Sequence, residues 1–195
     1  AALEAGRPAR TVEVAEADRR TWNLLQLLTA KPVLYVCNVE EHAAATGNLH
    51  SDRVRAMAEA EGAGTVVISA AIEAEIAQLD SAERAEFLAE MGLEEPGLDR
   101  LIRAGYDLLG LRTFFTAGPK ETRAWTIRAG TRAPQAAGVI HGDFERGFIR
   151  AETVSYEDYV ALGGEQGAKE AGKMRSEGKT YVVKDGDVLH FLHSG

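Results

Sequence analysis

Two segments with apolar residues at helical spacing each precede a short, mainly apolar run in the first part of the chain. The helical patterns cover residues 18–30 and 51–61, and the apolar runs cover residues 32–36 and 65–69. Runs without polar alternation are typical of strands in a parallel sheet that is covered on both faces. The order helix, strand, helix, strand therefore predicts an α/β sheet over this part of the chain.

From residue 81 onward, helices followed by antiparallel strands are predicted. Asp80 and Glu83 form a capping box ahead of a helix at residues 81–92, and a second helix follows at residues 97–110. The remaining order predicts a compact, β-grasp-like (ubiquitin-like) module attached to the α/β domain. Its predicted elements are strands at residues 111–118 and 122–130, a helix at 133–141, a strand at 147–154, a helix at 156–162 and two strands around an Asp-Gly turn at 180–195. Ser155 with Asp158 is predicted to cap the helix at 156–162.

Composition narrows the class of protein. Of 195 residues, 45% are apolar and 27% are charged, as in soluble globular proteins. No apolar run approaches the length of a membrane span, and Cys37 is the single cysteine, so we expect a cytoplasmic protein with no membrane partner. The formal charge of −8 argues against general nucleic-acid affinity and leaves only a local basic face open. Because the chain begins at Ala1 without a methionine, we interpret it as a fragment of a longer protein.

Polar or small residues follow both apolar runs, where parallel strands would end. Asn38 follows the first run with Glu41 three residues later, and Ser69, Ala70 and Ala71 follow the second. Ligands of open α/β sheets bind at the carboxyl ends of strands, and a carboxamide can both donate to and accept from a purine. Each feature also has an ordinary interpretation, a polar turn after a strand or tight strand–helix packing. The residues alone leave these alternatives open.

Glu41 bears on which purine such a site would prefer. In guanine-specific sites an aspartate at this spacing accepts from two base N–H groups, and each charge-assisted hydrogen bond contributes about 1.5–3 kcal/mol. Glutamate is one methylene longer and does not have to reach the same two donors. The spacing therefore predicts a weakened preference for guanine.

Other motifs near the end of the chain are set aside on chemical grounds. Residues 167–173 match the spacing G-x-x-x-x-G-K, but Met174 stands where a phosphate loop needs Ser or Thr for magnesium, and no buried strand precedes the segment. Residues 185–187 lack the further ligands of a calcium loop and predict a turn, and the histidines lack zinc-ligand spacing. The basic residues of this region are interpreted as a solvated face that contacts RNA: Lys169, Lys173, Arg175 and Lys179.

Four stretches of the sequence carry a family resemblance. They are "KPVLYVCNVEE" at residues 31–41 and the longer segments 73–127, 133–159 and 164–192. Together they resemble the YchF/Obg-like ATPase family, a branch of the Obg-related P-loop NTPases. The similarity extends over nearly the whole chain, far beyond a single motif.

The resemblance implies a domain organisation. Residues 1–88 would be the C-terminal part of an incomplete Ras-like P-loop NTPase (G) domain, and residues 89–109 a helical connector. Residues 110–195 would be a TGS domain with a β-grasp fold. The P-loop, the switch segments and a coiled-coil insertion that family members place upstream do not occur in this sequence.

The resemblance also implies a function and a site. The family carries N-x-x-E where most relatives carry N-K-x-D, and this implies that Asn38, Val39 and Glu41 bind the purine while Ser69, Ala70 and Ala71 close the pocket. It implies hydrolysis of ATP, with GTP as a second substrate, and association with the ribosome through the large subunit or rRNA. Mg²⁺ and the catalytic groups are expected upstream, so the chain alone would be inactive and holds no assigned catalytic or metal-binding residue. The alternative is a non-catalytic TGS module that binds RNA or the ribosome.

Overall fold

The computed structural model describes residues 2–194, which fold as two compact units. The first unit ends at Leu109 and the second begins at Gly110. Each has its own sheet and its own cluster of buried apolar side chains. No helix within residues 2–194 is long and apolar enough to cross a bilayer.

A parallel pair of strands, β1 and β2, lies at the centre of the first unit. Helices α2 and α5 pack on this pair, and a cluster that includes Ile72 and Leu88 is buried beside it. The pairing places Asn38 opposite Ile68 at the carboxyl ends of the two strands. The elements are α1 Arg19–Leu24, β1 Leu34–Asn38, α2 Leu49–Glu61, β2 Gly64–Ile68, α3 Ala70–Ile76, α4 Ser81–Glu90 and α5 Gly97–Leu109, with short 3₁₀ turns at Ala9–Thr11, Glu16–Asp18, Leu28–Ala30 and Glu41–Ala43.

Side-chain caps fix where the helices of this unit begin. The predicted capping box of Asp80 and Glu83 is confirmed at the start of α4. At the start of α5 the Glu73 carboxylate accepts hydrogen bonds from the backbone N–H groups of Gly97, at 2.7 Å, and Leu98, at 3.2 Å. Because Glu73 lies on α3, this contact joins α3 to the start of α5.

The prediction of one helix over residues 18–30 is wrong. Only α1 is α-helical there, Leu28–Ala30 forms a 3₁₀ turn, and Gln26 has a left-handed backbone (φ 47°) that a continuing helix does not allow. The apolar stripe that suggested the helix is not buried, since Leu24 is 75% and Leu28 is 77% exposed. A short helix without a packed apolar face has little to stabilise it.

The second unit contains a mixed five-stranded sheet in the order β4-β3-β7-β5-β6. The first strand, β3, pairs in parallel with the last, β7, and the other neighbouring strands are antiparallel. The elements are β3 Leu111–Ala117, β4 Thr122–Arg128, α6 Ala133–Ile140, α7 Gly142–Arg146, β5 Phe148–Ser155, α8 Tyr156–Ala161, α9 Glu165–Glu170, β6 Arg175–Glu177 and β7 Asp187–His193.

The core of the second unit lies between the sheet and α6. Phe114 of β3 and Ala133, Ala136 and Ala137 of α6 are fully buried. Phe191 of β7 meets Phe114 edge to face, with ring centroids 5.9 Å apart. Three small side chains on one helix face let α6 lie close to the sheet, so the aromatic rings fill the space between them.

The end of the chain differs from its sequence-based prediction in one element. The predicted hairpin of residues 111–130 and the helix behind Ser155 are confirmed. The segment before the Asp-Gly turn is not a strand and makes one isolated bridge, Arg132 to Val182. The Asp187 carboxylate explains this, because it accepts from Tyr181 Oη at 2.7 Å and from the Lys184 N–H at 2.8 Å and so curls the segment back on itself. Strand β6, which the sequence pattern did not predict, pairs with β5.

Candidate functional site

The ends of β1 and β2 meet at one edge of the first unit. Asn38, the last residue of β1, accepts a hydrogen bond through Oδ1 from the backbone N–H of Ala70 at 2.9 Å. The backbone N–H of Val39 donates to the Ile68 carbonyl at 2.8 Å, which prolongs the pairing by one residue. Asn38 is therefore joined directly to the segment Ser69–Ala71, and Val39 is joined to the last residue of β2. The two sequence features that suggested a ligand site lie side by side in the fold.

The side chains at this edge differ in exposure. Asn38, Ala70 and Ala71 are exposed, whereas Val39 and Ser69 are buried. Because Oδ1 of Asn38 is used by Ala70, the carboxamide keeps its two Nδ2 donors for another group. Methyl side chains at 70 and 71 leave room for a flat ring to approach the backbone. Ser69 is only 2% exposed, and its hydroxyl has no hydrogen-bond partner among the described residues.

Two adjacent carboxylates follow β1 and have different surroundings. Oε2 of Glu40 accepts from Asn48 Nδ2 at 3.0 Å. A hydrogen bond from its own backbone and this bond from Asn48 lower the pKa of Glu40 below its ordinary value. Glu41 starts the 3₁₀ turn Glu41–Ala43, and its exposed side chain makes no hydrogen bond or ion pair with another described residue. The Glu41 side chain therefore differs from that of Glu40 in having no bonded partner within residues 2–194.

The four basic residues assigned to an RNA-contacting face are all exposed, but they are not equivalent. Lys173 lies 3.6 Å from Asp158, and Arg175 lies 3.2 Å from Glu177 and 3.4 Å from Asp187. Lys169, on α9, and Lys179, after β6, make no ion pair with a described residue. The positive charge that remains for a partner therefore comes chiefly from these two lysines.

Arg175 belongs to a small network around Asp187. Its guanidinium lies 5.9 Å from the centre of the Tyr181 ring, and the Tyr181 hydroxyl donates to Asp187. Burial and the hydrogen bond to Asp187 raise the pKa of Tyr181 well above its ordinary value. Arg175 thus holds the segment before β7 in place, and its replacement would disturb folding as well as surface charge.

The segment that matches phosphate-loop spacing, residues 167–173, begins inside a helix and continues as the turn that ends it. Residues 165–170 form α9, and Gly172 has the left-handed backbone (φ 69°) of a residue that ends a helix. The N–H of Lys173 bonds back to the Ala168 carbonyl at 2.8 Å. The prediction that this segment is not a P-loop is confirmed.

Sequence patterns missed two arrangements in the second unit. Glu152, Glu165 and His190 bring their ligand atoms within 4.8 Å of one another. An open cavity of about 840 Å³ is lined by Trp125, Phe144 and other residues from three parts of the sequence, 121–125, 140–147 and 193–194. The participating residues are far apart in sequence and share no spacing, so only the sheet topology could have revealed them.

Comparisons with known proteins agree with the fold. Residues 111–194 match the family model YchF-GTPase_C, described as "Protein of unknown function (DUF933)". The chain is 56% identical over 192 residues to "Ribosome-binding ATPase YchF" of Bacillus subtilis (strain 168) and 56% identical over 190 residues to the protein of that name from Escherichia coli O157:H7. Each match covers 97% of this chain and 52% of the relative.

A solved structure shows the same fold. The chain matches the structure of the Schizosaccharomyces pombe YchF GTPase with a TM-score of 0.82 and 34% sequence identity, over 97% of this chain and 50% of that one. The chain thus spans about half the length of the relatives it matches, and it corresponds to their C-terminal half. It belongs to the YchF/Obg-like ATPase family.

Proposed function

We propose that this chain is the C-terminal portion of a ribosome-associated ATPase that also accepts GTP. The first unit supplies the base-binding side of an incomplete Ras-like NTPase domain, and the second unit is a TGS domain of β-grasp type that contacts the ribosome. The observation that carries the proposal is the hydrogen bond from Ala70 to Asn38, because it joins the two strand ends into one surface. The relatives named ribosome-binding ATPase support the activity and the partner.

Each residue at the strand ends has a distinct part in the proposed base site. The Nδ2 donors of Asn38 bond the purine ring edge, and the backbone at Val39 lines the pocket. Ser69, Ala70 and Ala71 close it from the β2 side. Glu41 sets base preference, since its extra methylene displaces the carboxylate from the position that an aspartate uses to accept from guanine. Adenine lacks those two N–H donors, so displacing the carboxylate does not weaken adenine binding.

The proposal assigns phosphate and Mg²⁺ binding to the rest of the parent protein. No segment within residues 2–194 forms a phosphate loop, and α9 with Met174 cannot take that part. The residues present therefore do not fit a nucleotide-bound Mg²⁺. What this chain contributes is recognition of the base, while chemistry at the γ-phosphate needs groups that it does not hold.

The strand order favours the TGS assignment. Counted within the second unit, the order is second, first, fifth, third, fourth, with the first and last strands parallel and α6 across one face. This arrangement is that of the β-grasp fold. The exposed lysines on α9 and after β6 also favour the alternative function, a TGS module that binds ribosomal RNA without catalysis.

Charge reversal at Lys169 and Lys179 tests the ribosome contact. In the 195-residue chain, Lys169→Glu/Lys179→Glu should weaken co-sedimentation with ribosomes by roughly tenfold at physiological salt. The slope of log affinity against log salt should fall by about 1 for each lysine that contacts a phosphate. These two residues are preferred to Lys173 and Arg175 because, within residues 2–194, they make no ion pair whose loss would disturb the fold.

A matched control distinguishes a local contact of Lys169 and Lys179 from an effect of the net charge. Lys31→Glu/Lys120→Glu changes the charge by the same amount at two other exposed positions. It should leave ribosome affinity within about twofold of the unaltered chain if the contact is local. Equal weakening by both double variants would show a general electrostatic effect and would contradict the proposed contact.

A further inference from the structure

Three potential metal ligands converge on the sheet of the second unit. Glu152 of β5 and His190 of β7 are directly opposite each other in the antiparallel register, and Glu165 is the first residue of α9. Their ligand atoms all lie within 4.8 Å of one another, and His190 Nδ1 is 3.9 Å from Glu165 Oε1. Opposite residues of paired strands have Cβ atoms about 5 Å apart, so the backbone fixes two of the three ligands.

The same three residues line a small cavity. Its volume is about 10 Å³, and Tyr159 and Met174 contribute to its walls. A volume of that order holds about one water molecule or one monatomic ion. The cavity is therefore too small for an organic ligand. Its walls also include apolar residues such as Val188 and Leu189, and its size suits a single cation held by Glu152, Glu165 and His190.

The donor set indicates which cation would bind. One imidazole and two carboxylates are ligands that Zn²⁺ and neighbouring divalent transition metals accept, and two carboxylates balance the charge of the ion. Tetrahedral Zn²⁺ with ligands at about 2.0–2.2 Å holds them roughly 3.3–3.6 Å apart, so rotation of these side chains, each at least partly exposed, closes the remaining distance. We propose that Glu152, Glu165 and His190 form a site for one divalent transition-metal ion, with Zn²⁺ as the best-fitting example.

Arg150 limits the affinity of this site. Its guanidinium lies 3.4 Å from Oε1 of Glu152. A carboxylate has two oxygens, so one can bind the metal while the other keeps the ion pair. The positive charge nevertheless opposes a cation, because the two charges lie within a few ångströms of one another. Arg150→Ala should therefore tighten metal binding.

Calorimetric titration of Zn²⁺ into the 195-residue chain tests the site. The unaltered chain should bind one Zn²⁺ per molecule at this site, and Co²⁺ should give the visible absorption of a low-symmetry site with nitrogen and oxygen ligands. His190→Ala and Glu165→Gln should each lower the affinity at least about tenfold, and Arg150→Ala should raise it. Since the side chains of His190 and Glu165 are 60% and 46% exposed, both variants should remain folded, as circular dichroism can verify.

His141→Ala provides the matched control. Its side chain is 64% exposed and lies 3.4 Å from a carboxylate oxygen of Asp143, so it presents the same kind of pair without a third ligand. This variant should bind Zn²⁺ as the unaltered chain does. The proposal is overturned if the chain binds no Zn²⁺, if His190→Ala leaves the affinity and the Co²⁺ spectrum unchanged, or if His141→Ala weakens binding as much as His190→Ala.

Discussion

Glu41→Asp in the parent protein is expected to shift relative affinity from ATP toward GTP by about 10- to 100-fold. An aspartate three residues after Asn38 can accept from two N–H groups of guanine, and a net gain of one charge-assisted hydrogen bond, about 1.5–3 kcal/mol, corresponds to a shift of this size. Glu41 is exposed and makes no bond with a described residue that the substitution would break. The shift should appear as tighter GTP binding with little change for ATP, measured by calorimetry with each Mg²⁺–nucleotide.

Glu40→Asp is the control for this prediction. It removes the same methylene group one position earlier, from a carboxylate that is already bonded to Asn48. The ratio of GTP to ATP affinity should stay within about twofold of the unaltered protein, because this carboxylate faces the start of α2. If Glu41→Asp left the ratio unchanged, Glu41 would have no part in base selection and the assignment of the base site would fail.

Gly167→Ala is expected to destabilise the second unit by about 2–3 kcal/mol. A Cβ at this position would overlap the carbonyl oxygen of Leu162, which is backbone and cannot rotate away. Urea unfolding followed by Trp125 fluorescence, in a Trp22→Phe background, reports on this unit because the chain has two tryptophans. The midpoint should move to lower urea with an unchanged slope.

Gly172→Ala shows whether the loss of stability caused by Gly167→Ala arises from packing. An added Cβ at Gly172 meets no atom within 4 Å, so the cost is that of a left-handed backbone, about 1 kcal/mol. A phosphate loop would make both glycines necessary for nucleotide binding, whereas the structure makes Gly167 a packing residue and Gly172 a helix end. Equal destabilisation by the two variants would contradict this explanation.

Elements that depend on residues close together in the sequence were predicted correctly. The capping box of Asp80 and Glu83 and the cap of α8 by Ser155 were identified correctly, because each depends on residues three positions apart. The apolar runs before Asn38 and Ser69 predicted two strands to within about two residues. That both strands end at one edge followed from their parallel direction.

Other features depend on contacts that no local pattern contains. Residues 18–30 have helical spacing, but their stripe is exposed and the helix ends early. Residues 180–185 have strand-like composition, but the buried Asp187 carboxylate draws them into a turn. The cluster of Glu152, Glu165 and His190 arises from the pairing of β5 with β7 and the position of α9. In each of these features, the structure is set by side-chain burial or by contacts between residues far apart in the sequence.

The central claim is that this chain holds the base-binding side of a nucleotide site whose phosphate-binding side lies elsewhere in the parent protein. Its most direct test is one calorimetric experiment, in which Mg²⁺–ATP is titrated into the parent protein and into the 195-residue chain under identical conditions. Because phosphate contacts and Mg²⁺ dominate such sites, the chain should bind at least roughly 100-fold more weakly than the parent. Equal, micromolar affinity in the chain alone would place the phosphate contacts within residues 1–195 and contradict the account.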